Sequence, residues 1–152
     1  MIRQFKNFLF GALSGNATEY YDGTGQFSTP ASSGQIYKVG VTIDGGGSAI
    51  STGIKGYTSI PVSGNITKVR LLADQNGGAV MDIWKDVFAN YPPTVADTIT
   101  AAAKPTLVAA DSYEDTTLTG WTVAVTAGDV LGFNVDSAST ITRLTLELEI
   151  TP

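Results

Sequence analysis

The sequence predicts an all-β fold: an antiparallel Greek-key sandwich or jelly roll behind an extended N-terminal arm. Three observations carry this. From Ile36 onward apolar and polar residues alternate with a period of two in several separate runs. The runs are divided by Gly, Asn, Asp and Ser clusters at turn spacing. Residues 1–33 show neither a period of two nor a sustained period of 3.6.

Taken in order, the first 33 residues hold breakers: Ser14-Gly15-Asn16, Asp22-Gly23-Thr24-Gly25 and Thr29-Pro30-Ala31-Ser32-Ser33-Gly34. They read as an arm, with one short helical turn around Phe5–Phe10, ahead of a globular domain at 34–152. Tyr37, Val39, Val41 and Ile43 share a face of the first strand, and Asp44-Gly45-Gly46-Gly47 follows as a loop. Ser63-Gly64-Asn65 separates Tyr57–Val62 from Ile66–Asp74, where Val69, Leu71 and Ala73 align. Asn76-Gly77-Gly78 then reads as a hairpin turn before Val80–Val87, because Asn-Gly is the strongest short hairpin signal.

Pro92-Pro93 bars a strand interior, so the text from Asn90 to Lys104 predicts a long crossing loop with a short helical piece. Trp121, Val123 and Val125 form a further run, as do Leu131, Phe133 and Val135. Turns are expected at Ala127-Gly128-Asp129 and at Asp136-Ser137-Ala138-Ser139. In the last strand Leu144, Leu146, Leu148 and Ile150 point one way, and Arg143, Thr145, Glu147 and Glu149 the other. Seven or eight strands with one long crossover make the Greek-key pattern.

Composition narrows the chemistry. The 152 residues suit one domain with its own core, and 43% apolar content excludes a disordered chain. With no His and no Cys, the chain cannot build a disulfide frame, a zinc finger, a thiol nucleophile or a Ser-His-Asp triad. The net charge is −5 and the nine Lys and Arg are scattered, so no basic face for nucleic acid is expected. No stretch reaches the roughly 18–20 apolar residues of a membrane span. Arg3 and Lys6 precede Phe8-Leu9-Phe10, but Gly11 cuts this run short of a secretory signal.

Catalysis would fall to carboxylates, Lys, Tyr, Ser or Thr, and no catalytic set stands out. Glu147 and Glu149 could suggest a glycosidase-type pair, but alternation places them on a solvated edge of the last strand. Asp82 and Asp86 read as ladder and turn polarity. Asp44, Asp74 and Asp136 lack the spacing of a calcium loop, so no metal and no cofactor is expected. Asp44-Gly45-Gly46-Gly47 lacks the Gly-Lys-Ser/Thr ending of a phosphate loop.

Aromatics remain. Trp121 falls on the apolar face of its strand and is assigned to the core. Trp84 shares a face with Asp82 and Asp86, and with Phe88 and Tyr91 it is the candidate for an interface or a glycan contact. Ile2, Phe5, Phe8, Leu9 and Phe10 place five large apolar side chains in a segment without a core, which marks them as candidates for anchoring to a partner.

Four strings, VTIDGGGSAISTGIKGY, VRLLADQNGGAVMDIWKD, ANYPPTVADTITAAAKPTL and LTGWTVAVTAGDVLGFNVDSASTITRLTLELEI, resemble a recurrent domain in structural proteins of tailed bacteriophages. They lie between Val41 and Ile150. TEYYDGTGQFSTP is similar, more loosely, to the short motif that precedes such domains in phage fibres. The resemblance implies a β-sandwich of jelly-roll type, commonly trimeric, hung from the virion by its N-terminal arm, and no enzyme.

The expected function is therefore a homotrimeric head decoration (cement) protein of a phage virion, assembled in the host cytoplasm and bound to the major capsid protein or another virion protein. The alternative is a receptor-binding tail fibre or tip protein that reads host-surface glycans. An arm of ~33 residues reaches at most about 100 Å, short for a fibre shaft, and so favours decoration. Leu72, Val80 and Trp84 face away from Leu71, Met81 and Ile83, which fits burial between subunits.

Overall fold

The computed structural model describes residues 20–21, 27–28 and 34–152. In the N-terminal unit, β1 (Tyr20–Tyr21) and β2 (Phe27–Ser28) pair antiparallel, Tyr20 opposite Ser28 and Tyr21 opposite Phe27. The rest of the expected arm, with the short helical turn expected around Phe5–Phe10, lies outside the described residues. The five candidate anchoring residues, Ile2, Phe5, Phe8, Leu9 and Phe10, lie outside the described residues.

Gly34–Pro152 forms a separate compact unit. It is nearly all-β, antiparallel and nearly barrel-shaped. Its strands are β3 (Tyr37–Asp44), β4 (Gly53–Ser59), β5 (Gly64–Asp86), β6 (Thr106–Asp115), β7 (Ala124–Val125), β8 (Val130–Ser139) and β9 (Arg143–Thr151). Two 3-10 turns, Phe88–Asn90 and Val95–Asp97, lie in the crossing segment between β5 and β6, where a loop with a short helical piece is expected.

β5 organises the unit. Its first half pairs with β9 on one side and with the end of β6 on the other; β9 in turn pairs with β3. Its second half pairs with β8 and with the start of β6, and β8 pairs with β4. The strand orders are thus β3–β9–β5–β6 in one half-sheet and β4–β8–β5–β6 in the other, with β5 and β6 shared. One apolar face lines a common core, in which Val69, Leu71, Met81, Ile83, Leu131, Phe133 and Leu144 are fully buried. Burial of each such side chain contributes about 1.5–3 kcal/mol. Leu146, Leu148 and Ile150 are equally buried, as their alternation with Thr145, Glu147 and Glu149 predicts. Trp121 also joins this core, its indole Nε1 donating to the Ala103 carbonyl at 2.8 Å.

The expected hairpin at Asn76-Gly77-Gly78 is absent, because β5 runs through it without a turn. Neither Asn76 nor Gly77 has the positive φ that a type I′ turn requires. Gly77 serves a close approach instead: a Cβ there would lie 2.5 Å from Thr140 Oγ1 and 2.6 Å from both Ile141 Cγ1 and the Ser139 carbonyl. The expected turn at Asp136–Ser139 also belongs to a strand, since Ser137, Ala138 and Ser139 pair with Val80, Ala79 and Gly78. The chain turns instead at Thr140, with φ of 66°, and Asp74 caps this turn by accepting from the Thr142 and Arg143 amides. The Trp121–Val125 run shortens to β7, because the Thr122 amide donates to Ile99 and the Val123 carbonyl accepts from Ile66.

Candidate functional site

Three features of the Gly34–Pro152 unit bear on function. The first is an ionic lattice on the half-sheet built around β9. Lys38 Nζ lies 2.8 Å from Glu147 Oε1, Lys68 Nζ 3.4 Å from Glu149 Oε2, and Arg70 Nε 2.5 Å from Glu114 Oε2. Arg70 Nη1 also reaches Glu147 at 3.6 Å and Glu149 at 3.5 Å. The hydrogen bond to Glu147 raises the Lys38 pKa, and the Arg70 guanidinium lowers that of Glu114. The expectation of a solvated edge for Glu147 and Glu149 is corrected here. β9 lies between β3 and β5, and Glu149 is only 8% exposed. Three cations and three carboxylates neutralise one another, which is the arrangement of a structural lattice rather than of an acid–base pair.

The second feature is a buried polar knot. Asp82, 1% exposed, accepts from Thr98 Oγ1 (2.6 Å), Thr100 Oγ1 (2.7 Å) and Trp84 Nε1 (3.0 Å). Lys104 Nζ stands 3.0 Å from Asp82 Oδ2 and 2.6 Å from Asp136 Oδ2. Asp82 is therefore not surface ladder polarity: it ties the crossing segment to β5. Burial works to raise its pKa, but the bonds from Thr98, Thr100, Lys104 and Trp84 outweigh this and hold it below the usual carboxylate range. Every buried side-chain polar atom among the described residues has a partner.

The third feature is an exposed aromatic slot. On the outer face of the half-sheet built around β8, in-register residues form two rows: Tyr57–Gly132–Trp84 and Ser59–Val130–Asp86. Gly132 leaves a gap that its neighbours fill. A Cβ there would lie 3.1 Å from Tyr57 Cε1, 3.2 Å from Ile54 Cδ1 and 3.3 Å from Pro93 Cγ. Tyr57 meets Tyr91 edge to face, with ring centroids 5.0 Å apart and planes at 70°. Phe88, 74% exposed, and Tyr91, 50% exposed, project from the first 3-10 turn and its cap. Tyr57, Thr58, Ser59, Phe88, Tyr91 and Val130 line one shallow depression.

Of the three residues expected at an interface or glycan contact, Phe88 and Tyr91 come together in this slot. Trp84 is partly buried, bridges to Thr98 and bonds Asp82, so it supports the crossing segment. Tyr57 escaped the sequence reading, which placed its strand at Tyr57–Val62 rather than at Gly53–Ser59. Asp44, Asp74 and Asp136 bind Arg143, the Thr142–Arg143 turn and Lys104, respectively. Among the described residues no group of three or more carboxylates is placed to hold a metal ion, and no helix is long and apolar enough to cross a membrane. No family model matches the chain, and neither the curated proteins nor the solved structures compared with it include a match.

Proposed function

We propose that this chain is a non-enzymatic surface protein of a tailed-phage virion, a homotrimeric head decoration protein attached through its N-terminal segment. The observation that carries the reading is the resemblance of the strings between Val41 and Ile150 to virion surface domains. The jelly-roll assignment belongs to the same reading. It is supported by the orders β3–β9–β5–β6 and β4–β8–β5–β6, which become two four-stranded sheets when the shared β5 and β6 are each counted twice. The anchor is Ile2, Phe5, Phe8, Leu9 and Phe10, and the partner is the major capsid protein or another virion protein.

A second reading, a receptor-binding tail fibre or tip protein, is favoured by the aromatic slot. Electron microscopy of purified particles with a label on the C terminus separates the two. Label distributed over the head at threefold-related positions is expected, whereas label confined to the tail would replace decoration by the second reading.

A further inference from the structure

We propose that the slot formed by Tyr57, Phe88 and Tyr91 binds a neutral, hydroxyl-rich sugar ring. This deepens the second reading by giving it a site and a ligand class, yet binding to the isolated protein is measured independently of where the protein sits on a particle.

Among the described residues, six of the nine exposed large hydrophobics, Ile54, Tyr57, Val87, Phe88, Tyr91 and Val95, belong to β4 or to the segment 87–95. Three of them are aromatic; Tyr57 packs over Gly132, and Tyr91 meets it edge to face. A pre-set aromatic face stacks on the C–H face of a pyranose at a reduced ordering cost.

Polar groups beside the rings suit the sugar's rim. Ser59 and Thr58 line the depression with the aromatics. Asp86 stands at the margin, outside the lining and across Val130 from Ser59, with one carboxylate oxygen fixed: Oδ1 accepts from the Val87 amide at 2.7 Å and from Asn90 Nδ2 at 3.1 Å. Oδ2 accepts no hydrogen bond among the described residues, which leaves an acceptor held in place for ligand hydroxyls.

Charge decides the class. No Lys or Arg lines the depression, and the cations of the strands around it are engaged elsewhere: Lys85 with the Ala124 carbonyl and Asp129, Lys55 with Ser51 and Thr52, Lys104 with Asp82 and Asp136. A lone carboxylate disfavours sialic acids, uronic acids and phosphorylated sugars and leaves neutral hexoses and N-acetylhexosamines.

The test applies the full-length protein to an array of glucose-, galactose-, mannose- and N-acetylhexosamine-terminated oligosaccharides, with sialylated and glucuronylated ones alongside. Titration calorimetry follows for the best binder, and sedimentation velocity is run on the same samples. At least one neutral sugar is expected to bind with Kd of about 1 mM or tighter. Phe88→Ala should weaken it about tenfold or more with unchanged melting, because Phe88 is largely exposed, and Tyr91→Ala as much with only a small fall in melting temperature from the lost edge contact with Tyr57. Asp86→Asn should weaken it less.

Three results would overturn the proposal: no neutral sugar bound at about ten times that concentration, binding indifferent to Phe88→Ala and Tyr91→Ala, or preference for the anionic sugars. A Phe88→Ala variant that loses self-association while no sugar binds would assign the slot to a second copy of this chain, and so contradict it as well.

Discussion

Replacing Asp82 with alanine is expected to destabilise the domain by about 3 kcal/mol, because it leaves the Trp84 indole N–H and the Thr98 and Thr100 hydroxyls facing an emptied buried site. The loss should be local first. Amides from Thr98 to Lys104 should exchange faster than those of β9, since the crossing segment is held to β5 chiefly by this knot and by the Ile99 and Met81 backbone bonds. The same residue sets an acid limb. Its folded-state pKa is depressed, so its stabilisation is fully present above the unfolded value of about 3.9 and is lost as pH falls towards the lower folded value. Lys104 acts in the opposite sense. Chiefly through its bond to Asp136, its pKa is raised, so its contribution holds below about 10.4 and is lost as pH rises beyond that. Urea unfolding across pH should show a plateau between these limits, and Asp82→Asn should flatten the acid limb. A wild-type acid limb unchanged by that substitution would remove Asp82 from this role.

Gly77→Ala should cost about 3 kcal/mol, several times the effect of Gly46→Ala. At Gly46 the residue needs φ of 66° but a Cβ would meet nothing within 4 Å, so the cost is the left-handed strain alone, about 1 kcal/mol. At Gly77 a Cβ meets the Ser139 backbone and the fully buried Ile141, neither of which can yield without moving the turn between β8 and β9. Chemical denaturation of the two variants measures the difference. Equal costs would mean that Gly77 is a turn glycine after all, and that β5 is not one continuous strand.

That contrast shows what the sequence could and could not disclose. Alternation is a local signal, and where one face is buried it is reliable: Leu144 to Ile150 alternate as predicted because their outer neighbours, Thr145, Glu147 and Glu149, are polar or charged. Pro92-Pro93 likewise excluded a strand for steric reasons that no tertiary context alters. Asn76-Gly77 failed because glycine meets two needs, a positive φ and a missing side chain, and a local reading cannot tell which applies. The second need arises from Thr140 and Ile141, more than 60 residues away.

The aromatic slot was half legible for a similar reason. Phe88 and Tyr91 follow a strand end and precede two prolines, so their exposure could be anticipated. Tyr57 joins them only through the pairing of β4 with β8 across Gly132. Asp82 could not be recognised as buried, since its partners Thr98, Thr100 and Lys104 arrive from a segment with no periodicity of its own. Glu149 faces outward as alternation predicts, but alternation cannot show what stands beside it: β9 is inserted between β3 and β5, and Lys38, Lys68 and Arg70 from those strands cover its carboxylate.

The claim that the N-terminal segment fastens this protein to a virion is tested most directly by deleting residues 1–13. Each of the five apolar side chains could contribute about 1.5–3 kcal/mol if buried on a partner, against an ordering cost of about 1–2 kcal/mol per residue. Three such segments in a trimer would add avidity to a modest single attachment. Purified full-length and truncated proteins would be mixed with particles that lack the protein, pelleted and quantified. The account predicts that the truncated protein remains a folded trimer by sedimentation and stays in the supernatant, while the full-length protein pellets with the particles. Truncated protein that pellets at full occupancy would contradict it and move attachment to the Gly34–Pro152 domain.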